Sequence, residues 1–374
     1  MNDQYHMLPS SSSWSAVKQI LCIRPDNMGD LLMSVPAIRA LRHTFGASIT
    51  LLTASATAPL AAFLPEIDEV ITFNTPWVKT EQAAALPAFQ QLLADIRERR
   101  FDAAVVFTVC SQNPLPSVMI AYLAGIPLRL AYCRENPYAL LTDWVPDAEP
   151  YTFIRHQVER DLALVASIGA SITDDRLSVA LPATAWLQAA AHLQAAGVDT
   201  EKPWVILHAP VSERKRAFDT DTWIAAGRLL RDELGVQLVL TGVQQERELV
   251  TVIAEGIGEN AFVLAGMLSL GQFMATVSHA AVVVSVNTSA IHIAAATSRP
   301  VVVLYACTNP QHTPWKTPAE VLYFPVPEHL QSKNEVVRYQ QRFFSGLAER
   351  VVTAEDIREA VRKLLGAGAL RRSF

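Results

Sequence analysis

The feature that most constrains this chain is a repeated alternation of short apolar runs with helical stretches, from one end to the other. In the first half, "QILCI", "SITLLTA", "EVITF", "DAAVVF" and "LRLAY" alternate with segments such as "LLMSVPAIRALRHTF" (31–45) and "EQAAALPAFQQLLADIRERR" (81–100). The second half repeats the pattern with "WVILHA", "VQLVLTG", "FVLAG", "AVVVSVN" and "PVVVLYA". These runs are near-continuous in Val, Ile and Leu and do not alternate with polar residues. That is the pattern of parallel strands covered on both faces, joined by helices into doubly wound α/β sheets.

At 374 residues the chain exceeds what one hydrophobic core usually supports, so two such domains are expected. A boundary near Pro182 follows from the polar stretch "SITDDRLSVALPAT", which comes after the helical pattern 153–170. The expected parts are a disordered lead-in (1–18), a first domain (19–182), a second (183–350), and a final helix (351–374) that could cross back to the first. Open α/β sheets bind ligands at the carboxyl ends of their strands, so each loop after a strand is a candidate for chemistry.

The formal net charge is −5, which gives no support to a nucleic-acid partner. The four cysteines are scattered and never reach a CxxC spacing, which fits a reducing cytoplasm rather than a disulfide framework or a zinc site. No apolar stretch is long enough for a membrane span, and the first residues lack the pattern of an export signal. There is no Walker motif and no GxGxxG, and no acid or histidine set has metal-ligand spacing.

Three loops stand out. In "RPDNMGD", Asp30 can cap the following helix or stand at the strand's carboxyl end as a general base. Taken alone, the spacing favours the cap. Gly29 would allow a tight turn or the close approach of a ligand. In "HAPVSERKRAFDTDTW", Arg214, Lys215 and Arg216 precede a helix; they form either an anion site or a solvated charge cluster. In "SVNTSAIHIAAA", a strand ends at Asn287 and a helix begins within Thr288 and Ser289, where free N–H groups could hold a phosphate. His292, a turn into that helix, is either a core histidine or a ligand contact.

Taken together, five stretches resemble the family 9 glycosyltransferases, which include the bacterial heptosyltransferases of lipopolysaccharide core assembly. They are "MGDLLMSVPAIRALR", "HQVERDLALVASIG", "LHAPVSERK", "LAGMLSLGQFMATVSHAAVVVSVNTSAIHIAAA" and "RPVVVLYACTNPQHTPW", spread from about Ile20 to Pro314. The resemblance implies a GT-B fold, two Rossmann-like domains facing a central cleft, with inverting transfer and no metal or other cofactor. It implies a nucleotide-sugar donor such as ADP-heptose and a saccharide or glycolipid acceptor, in the cytoplasm or at the inner face of the membrane.

On that pattern Asp30 matches the base, Lys215 a donor-diphosphate contact, His292 a donor-site histidine and Met267 a residue near adenine. Asn287, Thr288 and Ser289 stand where the family usually has Asp-(Ser/Thr)-Gly. That departure keeps two alternatives open, a transferase for another nucleotide-sugar and a non-catalytic binding protein of the same fold.

Overall fold

The computed structural model describes residues 14–79, 83–347, 349 and 351–371, without the side chains of 367–371. It divides into two compact units between Asp175 and Arg176, ahead of the boundary expected at Pro182. Of the expected lead-in, residues 1–13 lie outside the described residues. Trp14 and Val17 do not behave as a disordered lead-in: both are buried, and the Trp14 ring packs 6.1 Å from that of Phe45.

The first unit holds six parallel strands: β1 (Gln19–Ile23), β2 (Ser48–Thr53), β3 (Glu69–Thr72), β4 (Ala103–Val106), β5 (Leu128–Cys133) and β6 (Asp143–Pro146). They lie in the order β3-β2-β1-β4-β5-β6. The second unit repeats this with β7 (Trp204–His208), β8 (Gln237–Leu240), β9 (Ala261–Val263), β10 (Val282–Val286), β11 (Val301–Ala306) and β12 (Ala319–Phe324). Its order, β12-β11-β10-β7-β8-β9, is the same arrangement read from the other edge. Each is the doubly wound dinucleotide-fold order, and each reverses direction once, between β1 and β4 and between β7 and β10.

The central strands are buried along almost their whole length, as their Val-rich sequences require; β10 is buried at every position. β6 and β12 are not among the strands expected from the sequence. They are edge strands, largely half-exposed, and β6 ends on a proline.

Helices α1 (Met28–Phe45), α2 (Leu86–Arg99), α3 (Leu115–Leu123) and α4 (Gln157–Ala166) belong to the first unit. Gly46 ends α1 in the left-handed conformation, φ 60°, and returns its N–H to the Arg42 carbonyl. The second unit carries α5 (Ala183–Ala195), α6 (Thr220–Leu234), α7 (Arg247–Ile257), α8 (Leu270–His279), α9 (Ser289–Ala296), α10 (Glu335–Gln340) and α11 (Ala354–Arg371). The last of these, α11, buries Ile357, Val361 and Leu364 in the second unit's own core, beside Trp223 and Leu230 of α6.

Candidate functional site

Where a doubly wound sheet reverses, the loops on either side of the reversal part and leave a crevice at the strands' carboxyl ends. In the first unit this is the loop after β1. Arg24 extends the strand by one hydrogen bond, from its N–H to the Leu52 carbonyl at 3.0 Å. Thr53 and Thr57 donate to the carbonyls of Arg24 and Asp26 at 2.7 and 2.6 Å, which braces the loop.

Helix α1 then begins earlier than expected. Asn27 is its cap residue, so Asp30 lies inside the first turn and is not the N-cap; its carboxylate still favours the helix's positive end. Gly29 is also helical and absent from the positive-φ glycines, so it does not serve a left-handed turn.

Around Asp30 lies a buried charge cluster. Arg24 is wholly buried, with Nη1 3.2 Å from Asp26 Oδ2 and Nη2 3.6 Å from Asp30 Oδ1. Asn27 Nδ2 lies 3.4 Å from the other Asp30 oxygen, and Gln112 Nε2 donates to Asp26 at 2.7 Å. Helix α4 packs on α1 and inserts Asp161, which accepts from Ser34 Oγ at 2.7 Å and from Gln157 Nε2 at 2.8 Å.

Burial pushes both the Asp26 and the Asp161 carboxyls up to about 6. Burial opposes the Arg24 charge as well, but Asp26, Asp30 and Asp161 together outweigh it and hold the guanidinium above its ordinary value. A second buried arginine, Arg160 of α4, is matched by Asp147 and Glu149.

Arg24, Asp26, Gln157 and Asp161 were not singled out from the sequence. The available signal was in α4, where polar Gln157, Arg160 and Asp161 share a face at i, i+3 and i+4 and are all buried.

In the second unit the reversal brings the β7 and β10 loops together. Arg216 of the β7 loop donates from Nη1 to the Asn287 carbonyl at 3.2 Å. Lys215, expected to meet an anion, is half-buried and paired with Glu213 at 2.8 Å; Arg214 is exposed. His208, the last residue of β7, has Nδ1 2.9 Å from Thr241 Oγ1, and burial pushes it down to about 4, so it is neutral at pH 7.

The Asn287 side chain is buried and turned into its own sheet. Its Oδ1 accepts from Ala306 N at 3.2 Å, and its Nδ2 donates to Thr308 Oγ1 at 3.1 Å. Thr288 occupies the cap position of α9 without a side-chain capping bond, and Ser289 opens the helix, half-buried. His292 is buried one turn in, edge-on to His312 at 6.4 Å. Met267 lies half-exposed in the loop after β9, the strand at the sheet's far edge from β12.

The structure thus brings Arg216, Asn287, Thr288 and Ser289 to one crevice, with Lys215 in the same loop. Met267 sits at the same edge of the sheet, two strands from β10's partner β7. Among the described residues, no three His, Cys, Asp or Glu side chains converge as metal ligands, and no helix is long and apolar enough to cross a membrane.

Comparison with known proteins agrees with this architecture. The chain is 29% identical to lipopolysaccharide heptosyltransferase 2 of Escherichia coli K12 over 315 residues, 79% of this chain and 85% of that one. It is 23% identical to lipopolysaccharide heptosyltransferase 3 of Escherichia coli, over 90% of this chain and 96% of that one. Among solved structures, a family 9 glycosyl transferase from Veillonella parvula matches with a TM-score of 0.76 at 17% identity, covering 94% and 98% of the two chains. The ADP-heptose lps heptosyltransferase II of E. coli matches with a TM-score of 0.70 at 22% identity, covering 94% and 99%; the fold is therefore GT-B. The sequence profile of glycosyltransferase family 9 (heptosyltransferase) matches residues 89–341, more than half the chain. The chain is a glycosyltransferase and belongs to family 9.

Proposed function

We propose that the enzyme transfers a heptose from an ADP-activated donor to a saccharide hydroxyl of the lipopolysaccharide core, with inversion and without a metal. The observation that carries this reading is Asp30, a carboxylate whose side chain is only 12% exposed, at the first sheet's reversal beside a buried cation. In the reaction, the acceptor oxygen gives its proton to Asp30 and forms the new bond to the sugar's anomeric carbon. The bond from that carbon to the phosphate oxygen breaks, and ADP leaves with the electron pair. Attack from the face opposite ADP inverts the anomeric centre.

Charge growing on the diphosphate would be met by Lys215 on leaving Glu213, by Arg216, and by the N–H groups opening α9, which are fixed by the backbone. The relatives named for lipopolysaccharide heptosyl transfer support the donor and the acceptor class. Such an acceptor would place the enzyme in the cytoplasm at the inner face of the membrane. A second reading, a different nucleotide-sugar, is favoured by Asn287 and Ser289 where the family usually has Asp and Gly.

The test is transfer from ADP-heptose and from other nucleotide-sugars to truncated lipopolysaccharide, with the product and its anomeric configuration read by mass spectrometry and NMR. ADP-heptose is expected to be the donor, turnover to survive EDTA, and Asp30→Asn to fold but lose about 10²–10⁴ in rate. Abolition by EDTA with recovery on adding a divalent ion would refute metal independence. Near-native turnover of Asp30→Asn would leave Asp30 as a structural residue of the first turn.

A further inference from the structure

Arg24 demands an explanation. It is wholly buried, and none of Nε, Nη1 and Nη2 makes a hydrogen bond of ordinary geometry. Buried arginines usually saturate their planar fork, as Arg160 does with both oxygens of Asp147, Glu149 and the Thr108 carbonyl. Arg24 instead lies among Asp26, Asp30 and Asp161, and Arg160 is the other charge that acts on it. Its two terminal nitrogens are divided between Asp26, at 3.2 Å, and Asp30, at 3.6 Å.

Asp161 is satisfied by Ser34 and Gln157, whereas Asp26 accepts from Gln112 on Oδ1 and its buried Oδ2 makes no hydrogen bond, facing Arg24 Nη1 at 3.2 Å. Asp30 also receives the Asn27 amide, at 3.4 Å, and is the least buried of the three.

We propose that Arg24 is a positioning residue for Asp30: it keeps the carboxylate ionised and aimed against the repulsion of Asp26. This rests on the reading of Asp30 as the base. A carboxylate close to another opposes its ionisation, and an adjacent guanidinium restores it. The loose 3.6 Å contact suits the role, because a base locked into a tight bidentate pair would be a poor proton acceptor. Proton uptake by Asp30 during transfer would also relieve the repulsion within the cluster.

Two variants and two readouts test this. The Asp30 carboxyl carbon is followed by ¹³C NMR against pH, without substrate, and assigned by its loss in Asp30→Asn. In Arg24→Met its titration should move up by about one to three units. The acid limb of the kcat/KM profile should move with it, so that activity lost at neutral pH returns as pH rises. Arg24→Lys keeps the charge but loses the fork. It should keep the wild-type titration while kcat falls at least about tenfold with KM little changed, the loss expected when groups held for a near-attack geometry are displaced.

If Arg24→Met does not fold, Arg24→Lys carries the test. An unmoved Asp30 titration in Arg24→Met, or wild-type kcat in Arg24→Lys, would overturn the inference. A drop in thermal stability with an unchanged pH profile would assign Arg24 a purely structural role and overturn it as well. Failure of wild-type protein to use ADP-heptose, by contrast, would overturn the functional reading and leave the carboxyl titration readable.

Discussion

Asn287→Asp restores the residue the family usually carries, and the structure says why it should nevertheless be harmful in this chain. The amide is spent on its own sheet: it accepts from Ala306 N at 3.2 Å, donates to Thr308 Oγ1 at 3.1 Å and points its second hydrogen at the Ala306 carbonyl, 3.5 Å away. A carboxylate keeps the first bond and loses both donations. Thr308 can turn its hydroxyl to the new acceptor only by giving up its own bond to the Ala306 carbonyl.

Two donations are therefore lost, the 3.1 Å one worth about 0.5–1.5 kcal/mol and the longer 3.5 Å one less. The new charge must also be buried, since the residue is only 6% exposed. The start of α9 returns about 0.3–1 kcal/mol of that cost, and Arg216, already on the Asn287 carbonyl, offsets a further part. The net is a destabilisation of about 1–2 kcal/mol, or about 2–4 °C in Tm per kcal/mol for a unit of this size.

Near a donor diphosphate the added charge would also repel, so kcat/KM should fall, about tenfold for each ~1.4 kcal/mol of transition-state stabilisation lost. Thermal unfolding and steady-state kinetics at fixed ionic strength measure both. An unchanged Tm with an unchanged or higher kcat/KM would show the asparagine to be a tolerated substitution and refute the argument.

Lys215→Ala should weaken ADP binding by about 1.5–3 kcal/mol in calorimetry, and Glu213→Gln should tighten it, because the lysine must leave Glu213 to reach a phosphate. No change in either would move the anion contact to Arg214 or Arg216. His208 titrates at about 4 in the fold against about 6.5 unfolded, so it contributes nothing above neutral pH and removes stability as pH falls from about 6.5 towards 4. Asp26 and Asp161, raised to about 6, act with the opposite sign and add stability over the same window. Urea unfolding at pH 7 and pH 5 should show His208→Gln losing less than wild type, by up to about 2 kcal/mol, and equal losses would contradict the assignment.

Both sheets were legible because their central strands are uninterrupted Val, Ile and Leu runs and each run ends on a turn signal. β6 and β12 were not, because an edge strand need be apolar on only part of its surface: "DWVP" carries an acid and a proline, and "AEVLYF" is half-exposed along most of its length. Asp30, Lys215 and Asn287 stand out as candidates because they lie in or just past the loops after β1, β7 and β10, and strand ends are where such folds place ligands. Their actual contacts could not. Glu213 beside Lys215 reads equally well as a solvated neighbour, and the pairing of Asn287 with Ala306 and Thr308 needs the adjacency of β10 and β11. Arg24 and Asp26 looked like ordinary loop residues in "RPDN", since nothing local shows that α4 will carry Asp161 to them.

The two units repeat one strand order and differ in what their reversal loops carry. In the first, three aspartates crowd one guanidinium, and burial, chiefly, pushes Asp26 and Asp161 up to about 6 against the pull of Arg24. A cluster of that composition is short of positive charge and gains by taking up a proton, as a base must. In the second, Lys215 and Arg216 stand in the β7 loop, α9 opens without a side-chain cap, and His208 at the end of β7 is held neutral by burial. On the reading proposed above, Arg216, the N–H groups opening α9 and Lys215 once released from Glu213 would face an anion whose charge grows during reaction. The shared backbone accounts for where each set lies but not for its sign, so on the proposed reading any division between proton acceptance and leaving-group stabilisation would rest on the loop residues. Substitutions that alter charge at Arg24 and at Lys215 should therefore separate cleanly, the first moving the pH dependence of turnover and the second the affinity for ADP.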